Sequence, residues 1–207
     1  MLKEYHHAQT VLTSAYDHFN QVFAEGKLKN ALITVQSVGR KRAYGWFANK
    51  AWHDSAGVSY HEINIGAEHF KRSNEEILET LLHECVHLWN HQHGIDDCTP
   101  TQYHKKSFKE ACKRFGLTCE KMGRFGYAKT GLDIGGKKAI EDLKLDPDVF
   151  NIFRNFGNAK KKESKYLTIN VSINLADRID KIIEKLGCKN KREMAEHLIN
   201  SFKLNEE

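Results

Sequence analysis

No stretch of this sequence approaches the roughly 20 consecutive apolar residues that a membrane helix needs. Mean hydropathy is −0.61 and 29% of residues are charged, so no membrane association is expected. The N-terminus, Met1-Leu2-Lys3-Glu4-Tyr5-His6-His7, lacks the apolar core of a secretory leader. The expected location is therefore the cytoplasm, nucleoid-associated if the protein binds DNA. Cys-x-x-Cys pairs are also missing. The five cysteines (Cys85, Cys98, Cys112, Cys119, Cys188) are odd in number in a chain without a leader, which reads as free thiols. Cys85 and Cys112 fall on helical apolar faces and suit a core better than chemistry. A length of 207 residues allows one or two domains, and 40% hydrophobic content is enough for a core.

Histidine is plentiful, with 12 in the chain, and two of them share one motif. Thr80-Leu81-Leu82-His83-Glu84-Cys85-Val86-His87 contains His-Glu-x-x-His inside a run with helical apolar spacing. Four residues is slightly more than one helical turn, so His83 and His87 stack on the same face. Two imidazoles so placed can grip one Zn²⁺, and Glu84 can act as general base on a zinc-bound water, a protease-type arrangement. Ser73-Asn74-Glu75-Glu76 is a capping-box pattern that starts this helix. Ile77, Leu78, Leu81, Leu82, Cys85, Leu88 and Trp89 supply its buried face.

In chain order, residues 5–25 keep the 3.6 period of an amphipathic helix that Gly26 ends. Strands are expected at 31–38, 43–48 and 58–65, forming a small antiparallel sheet. After the metal helix comes a polar loop at 90–99. A second helix over 103–115 is expected to start at Thr99-Pro100 and stop at Gly116. Residues 117–136 read as a Gly-punctuated loop, and 137–144 and 147–156 as short helices. A basic polar linker at 158–165 then separates residues 1–157 from residues 166–207.

Catalytic zinc wants three protein ligands and an open position. His91 is about 6 Å along the helix axis from His87, too far to share a metal with His83. That leaves His93 and His104. His93 completes His-Glu-x-x-His-x-x-Asn-x-x-His, a metzincin-type spacing with Asn90 at the glycine position and Met122 available for a Met-turn.

Several segments together resemble the SprT-like family, the zinc metallopeptidases that include Spartan-type DNA–protein crosslink proteases. These segments are Tyr44-Gly45-Trp46-Phe47, His61-Glu62-Ile63-Asn64-Ile65, Thr80 to Leu88, Gly94-Ile95-Asp96-Asp97, Tyr103-His104-x-x-x-Phe108 and Gly116-Leu117. The resemblance covers roughly residues 5–130 and is closest to the short proteins of phages and mobile elements. It implies an α+β, zincin-like domain with His83, His87 and His104 on zinc and Glu84 as the base. The zinc ribbon of the fuller family members has no counterpart here, so a single zinc is expected.

The net charge of +5 is unevenly spread. Residues 105–138 hold ten Lys/Arg against Glu110, Glu120 and Asp133, with Phe108, Phe115, Phe125 and Tyr127 interleaved, which suits nucleic acid or simply a solvated face. Residues 166–207 read strand–helix–helix. Leu167, Ile169, Val171 and Ile173 alternate with Thr168, Asn170 and Ser172. Asn174 and Asn190 then cap two helices lined by Leu175, Ile179, Ile182, Ile183, Leu186 and by Met194, Ala195, Leu198, Ile199, Phe202. This segment is similar to ribbon-helix-helix domains. That resemblance implies a homodimer whose Thr168, Asn170 and Ser172 face the DNA major groove and whose amides near Asn190 hold a phosphate. The expected function is zinc-dependent proteolysis of proteins at or on DNA. Two alternatives stay open: a DNA-binding regulator with a non-catalytic metal domain, and a metzincin-type protease using His93. Retention of Glu84 favours an enzyme over a scaffold, which would need only the histidines.

Overall fold

A computed structural model describes residues 3–37, 43–155 and 173–201. They divide into two units, one ending at Gly157 and the other beginning at Asn158. The first unit is α+β. Helix α1 (Lys3–Ala24) buries Ala8, Leu12, Ala15, Tyr16 and Phe19, one stripe at helical spacing, while Val22 points outward. It ends in two left-handed residues, Glu25 and Gly26. Strands β1 (Ala31–Gln36), β2 (Gly45–His53) and β3 (Ser59–Gly66) follow.

The sheet is mixed rather than antiparallel. Its order is β1-β3-β2, with β2 antiparallel to β3 but β1 parallel to it. Period-two alternation marks each strand but not its neighbour, so the insertion of β3 between the earlier two was not readable. Ile33 and Val35 of β1 lie opposite Ile63 and Ile65 of β3, and all four are buried. Helix α1 packs against β1, and α2 (Asn74–Gln92) against β2 and β3, with Ile77, Leu78, Leu81, Leu82, Cys85 and Leu88 inaccessible. The start of α2 is the expected capping box. Ser73 Oγ accepts from the Glu76 amide at 3.2 Å, and Glu76 accepts from the Ser73 amide at 2.9 Å.

The second helix is shorter than expected. Helix α3 covers Lys106–Cys112 and a 3₁₀ turn continues it to Phe115. Thr99 does not cap it. Its hydroxyl instead accepts from the Tyr103 amide at 3.1 Å, closing a local turn around Pro100. Residues 117–136 are not a loop. They form a hairpin of β4 (Leu117–Glu120) and β5 (Lys129–Leu132), followed by α4 (Ile134–Glu141), which Asp133 caps through the Gly136 amide at 2.9 Å. Cross-strand pairing stabilises these short segments where local propensity is weak. No helix forms at 147–155. Asp146 instead nucleates a turn, and the Arg154 amide bonds the Ala67 carbonyl at 2.9 Å, drawing the chain out alongside the sheet. Val149 and Phe150 are still buried, with Phe150 edge-on to Phe70.

In the second unit α5 (Ile173–Lys185) starts one residue before Asn174. Helix α6 (Lys191–Ser201) is capped by Asn190, whose Oδ1 accepts from the amides of Arg192 and Glu193, both at 3.0 Å. Of the expected strand at 167–173, residues 167–172, with Thr168, Asn170 and Ser172, lie outside the described residues, and Ile173 is the first residue of α5 instead.

Gly116 joins α3 to the hairpin at φ +67°, and a Cβ there would stand 2.5 Å from the Gly136 amide nitrogen. Left-handed strain and backbone overlap act together, so Gly116→Ala should cost roughly 2–4 kcal/mol. Chemical denaturation should show this as a lower midpoint with an unchanged slope.

Candidate metal centre

His83 and His87 lie one turn apart on α2, with ring centroids 5.1 Å apart. His104 comes from the loop before α3. Its backbone is fixed by two bonds, from its own amide to the Phe125 carbonyl at 2.9 Å and from the Tyr127 amide to its carbonyl at 3.0 Å. Gly126 lies against this residue at φ +66°, where a Cβ would stand 2.2 Å from the His104 carbonyl oxygen. The hairpin tip therefore delivers the third imidazole. His104 Nε2 stands 3.2 Å from the Nε2 atoms of both His83 and His87.

Those contacts are not hydrogen bonds once the other ring nitrogens are considered. His87 Nδ1 faces Asp97 Oδ2 at 2.9 Å, and His104 Nδ1 faces the Gln102 carbonyl at 3.2 Å. Both partners only accept, so both Nδ1 atoms carry the proton. His83 Nδ1 faces Thr130 Oγ1 at 3.4 Å, and that hydroxyl donates to Glu79 Oε1 at 2.8 Å, so it accepts from His83. Three Nε2 lone pairs thus converge. A cation resolves their repulsion, and tetrahedral zinc at about 2.0–2.1 Å from each nitrogen sets them about 3.3 Å apart. Nδ1 partners of this kind orient ligand imidazoles. Burial pushes His83 well below the usual imidazole range and, helped by the charge of His87, His104 down to about 4, so both stay neutral as ligands must. At His87 burial acts the same way and is the largest single effect, but the bond to Asp97 and the charges of Glu84 and Asp97 together outweigh it and the pKa rises.

Beneath the three rings sits Phe108, fully buried, at 4.7, 4.6 and 4.7 Å from His83, His87 and His104. Glu84 points to the other side of the helix face. It is 5% exposed, and the Phe47 amide of β2 holds its carboxylate. Burial pushes this carboxyl up to about 7, against the opposing effects of His87 and the Phe47 amide. Gly45 leaves it room, since a Cβ there would be 3.3 Å from Glu84 Oε1 and 2.7 Å from the Asn64 carbonyl. His83, Glu84, His87 and His104 open into one cleft of about 1000 Å³, between Tyr44–Phe47 and the hairpin from Met122 to Thr130.

His83, His87 and His104 are the one group of three or more potential ligands brought together among the described residues. The family profile of the SprT-like family matches residues 12–126, more than half of the chain. The chain belongs to the SprT-like family. Its matched segment is a zinc metallopeptidase-like domain, and the three histidines fit the zinc that the family implies. No curated protein and no solved structure matches the chain.

His93 is not brought into the SprT-like site. It ends α2, with Nδ1 on the Trp89 carbonyl at 2.7 Å and its ring 4.0 Å from the Trp89 ring. Asn90 is helical and buried rather than in a left-handed turn, and it donates to Asp97 Oδ2 at 2.9 Å. Met122 lies on the cleft rim, half exposed, while Phe108 is the residue packed beneath the three rings. Sequence reasoning gave no roles to Asp97, Thr130, Glu79 and Gln102. Asp97 alone had a signal, as an acid ten residues after His87.

Metal analysis of purified variants should find zinc retained in His93→Ala and largely lost in His104→Ala. Gly126→Ala removes no ligand but displaces the His104 carbonyl, so it should weaken zinc binding by about 10–100-fold.

Proposed function

We propose that this chain is a zinc metalloendopeptidase acting on proteins at or on DNA. One observation carries it: three imidazole lone pairs converge in a cleft that also holds a buried carboxyl near neutrality. Zinc bound there would supply a Lewis acid for water and for the scissile carbonyl. Glu84 takes the water's proton at its carboxylate, and a carboxyl near pH 7 is well matched to give that proton back to the leaving amine. Asp97, Thr130 and the Gln102 carbonyl keep the protons on Nδ1 and the lone pairs inward. A scaffold without turnover would need the histidines but gains nothing from burying Glu84, which costs solvation.

Charge supports the DNA part of the proposal. The ten basic residues of 105–138 stay on or near the surface, four of them paired with acids: Lys105–Asp96, Lys113–Glu110, Lys129–Glu120 and Lys138–Asp142. Phe108 and Phe115 are buried and cannot stack on bases, so this segment would act through phosphates. Residues 166–207 would add a ribbon-helix-helix homodimer, with Thr168, Asn170 and Ser172 reading base edges. Among the described side chains of 178–198 none is buried, and Ile182, Leu186 and Leu198 are over a third exposed. Helices this amphipathic and this bare suit pairing with a second copy. At Asn190 the cap itself occupies the amides of Arg192 and Glu193, so a phosphate there would compete with the Asn190 side chain. Tethering enzyme and substrate to one DNA would raise their effective concentration.

Glu84→Gln keeps the shape and the ligands but cannot accept a proton at neutral pH. Zinc content should persist while cleavage of protein substrates, self-cleavage included, disappears. Undiminished proteolysis would remove Glu84 from the mechanism. Light scattering at micromolar concentration should give twice the chain mass, and deletion of residues 158–207 should leave a zinc-loaded monomer with weaker, still salt-sensitive DNA binding. A monomeric full-length protein would refute the ribbon pairing.

A further inference from the structure

The cleft contains a cation that the metal site does not use. Arg72 precedes the Ser73 cap of α2 and lines the same cleft as Glu84 and the three histidines. A guanidinium carries five N–H donors in one plane. Three meet neutral acceptors: Nε the His69 carbonyl at 3.1 Å, and Nη1 the Glu76 carbonyl and the Thr80 hydroxyl, both at 3.0 Å. The remaining two, on Nη2, are covered and have no partner. Arg72 takes part in none of the ion pairs among the described residues. Its acidic neighbours are engaged elsewhere. Glu76 Oε2 accepts from the amide and hydroxyl of Ser73, and Glu79 Oε1 accepts from Thr130.

Glu76 and Glu79 act on the Arg72 charge only from a distance, and a half-buried guanidinium with two unmade hydrogen bonds and no direct ion pair is costly unless an anion joins it. The Tyr44 ring covers one face of the guanidinium, 4.2 Å from Cζ, and is itself 54% exposed. An exposed side chain changes rotamer within nanoseconds, so this cover can open. Thr80, which holds Nη1, is one helical turn from Glu84, about 6 Å along the axis. An extended peptide covers that distance in about two residues.

We propose that Arg72 is a specificity-determining residue of the cleft: its Nη2 binds a carboxylate of the substrate chain about two residues from the bond that is cut. That carboxylate belongs to an acidic side chain or to a free C-terminus. The proposal rests on the reading of the cleft as a peptide site.

The test uses full-length, zinc-loaded Glu84→Gln protein, which binds without turnover. Fluorescent hexapeptides differing only in Glu against Gln, or in a free against an amidated C-terminus, are titrated by anisotropy. The carboxylate member of one pair should bind about ten- to a hundredfold tighter, and which pair shows this names the source. Adding Arg72→Met should bring that ratio to near one, and adding Arg72→Lys should leave it between. A ratio within one protein does not depend on the folded fraction, so loss of the His69, Glu76 and Thr80 bonds is not mistaken for loss of recognition. A ratio near one before Arg72 is changed, no binding of either member at millimolar concentration, or a ratio unmoved by Arg72→Met would overturn the proposal. Carboxylate preference in a protein whose Glu84 form cleaves nothing would overturn the protease reading and leave Arg72 standing.

Discussion

Three nitrogen lone pairs forced to face one another, with His104 Nε2 at 3.2 Å from the other two, are the constraint around which the first unit is built. They would separate if the rings were free. Each ring is instead held by an acceptor behind it: Asp97 and Gln102 from the loop between α2 and α3, and Thr130 from β5. Phe108 closes the floor, so the rings cannot retreat into the core. The arrangement is a preorganised electron-rich point, and a dication is the natural occupant.

The two ligands of α2 were legible because a helix fixes its own geometry: spacing alone puts His83 above His87, and Ser73 and Glu76 mark where the helix starts. The third was legible only through likeness to known proteins. Spacing within the chain favoured His93, and only Gly94, left-handed at φ +68°, marks locally that α2 ends at Gln92 and leaves His93 as its C-cap. Thr130 behind His83 is farther still from sequence reasoning, since 47 residues separate them. The same limit governs the fold. Helices α1 and α2 were visible from periodicity, whereas the hairpin 117–132 was not, because its strands are four residues long and exist by pairing with each other. The apolar residues at 149–152 suggested a helix, but a turn at Asp146 and a bond to Ala67 decide their path.

The basic segment has a double character that composition concealed. Its aromatic residues looked like one set, yet Phe108 and Phe115 belong to the core, Phe125 lines the cleft and Tyr127 is half-buried on the hairpin. Lysines and arginines nearby sit over rings, Lys109 over Tyr127 and Arg114 over Trp89, so part of the charge serves packing.

Strand β2 is an edge among the described strands, and its pairing with β3 breaks register between Ala48 and Trp52, where Lys50 turns to φ +47°. An edge with unpaired amides invites other strands to add to it. Here the straight portion runs only from Gly45 to Ala48, and the Phe47 amide within it is already taken by Glu84. Beyond it the kink and a lysine turn the backbone out of line. The same carboxylate that is placed for proton transfer therefore also caps a sheet edge, and the protein can keep an open cleft beside that edge without offering a template for aggregation.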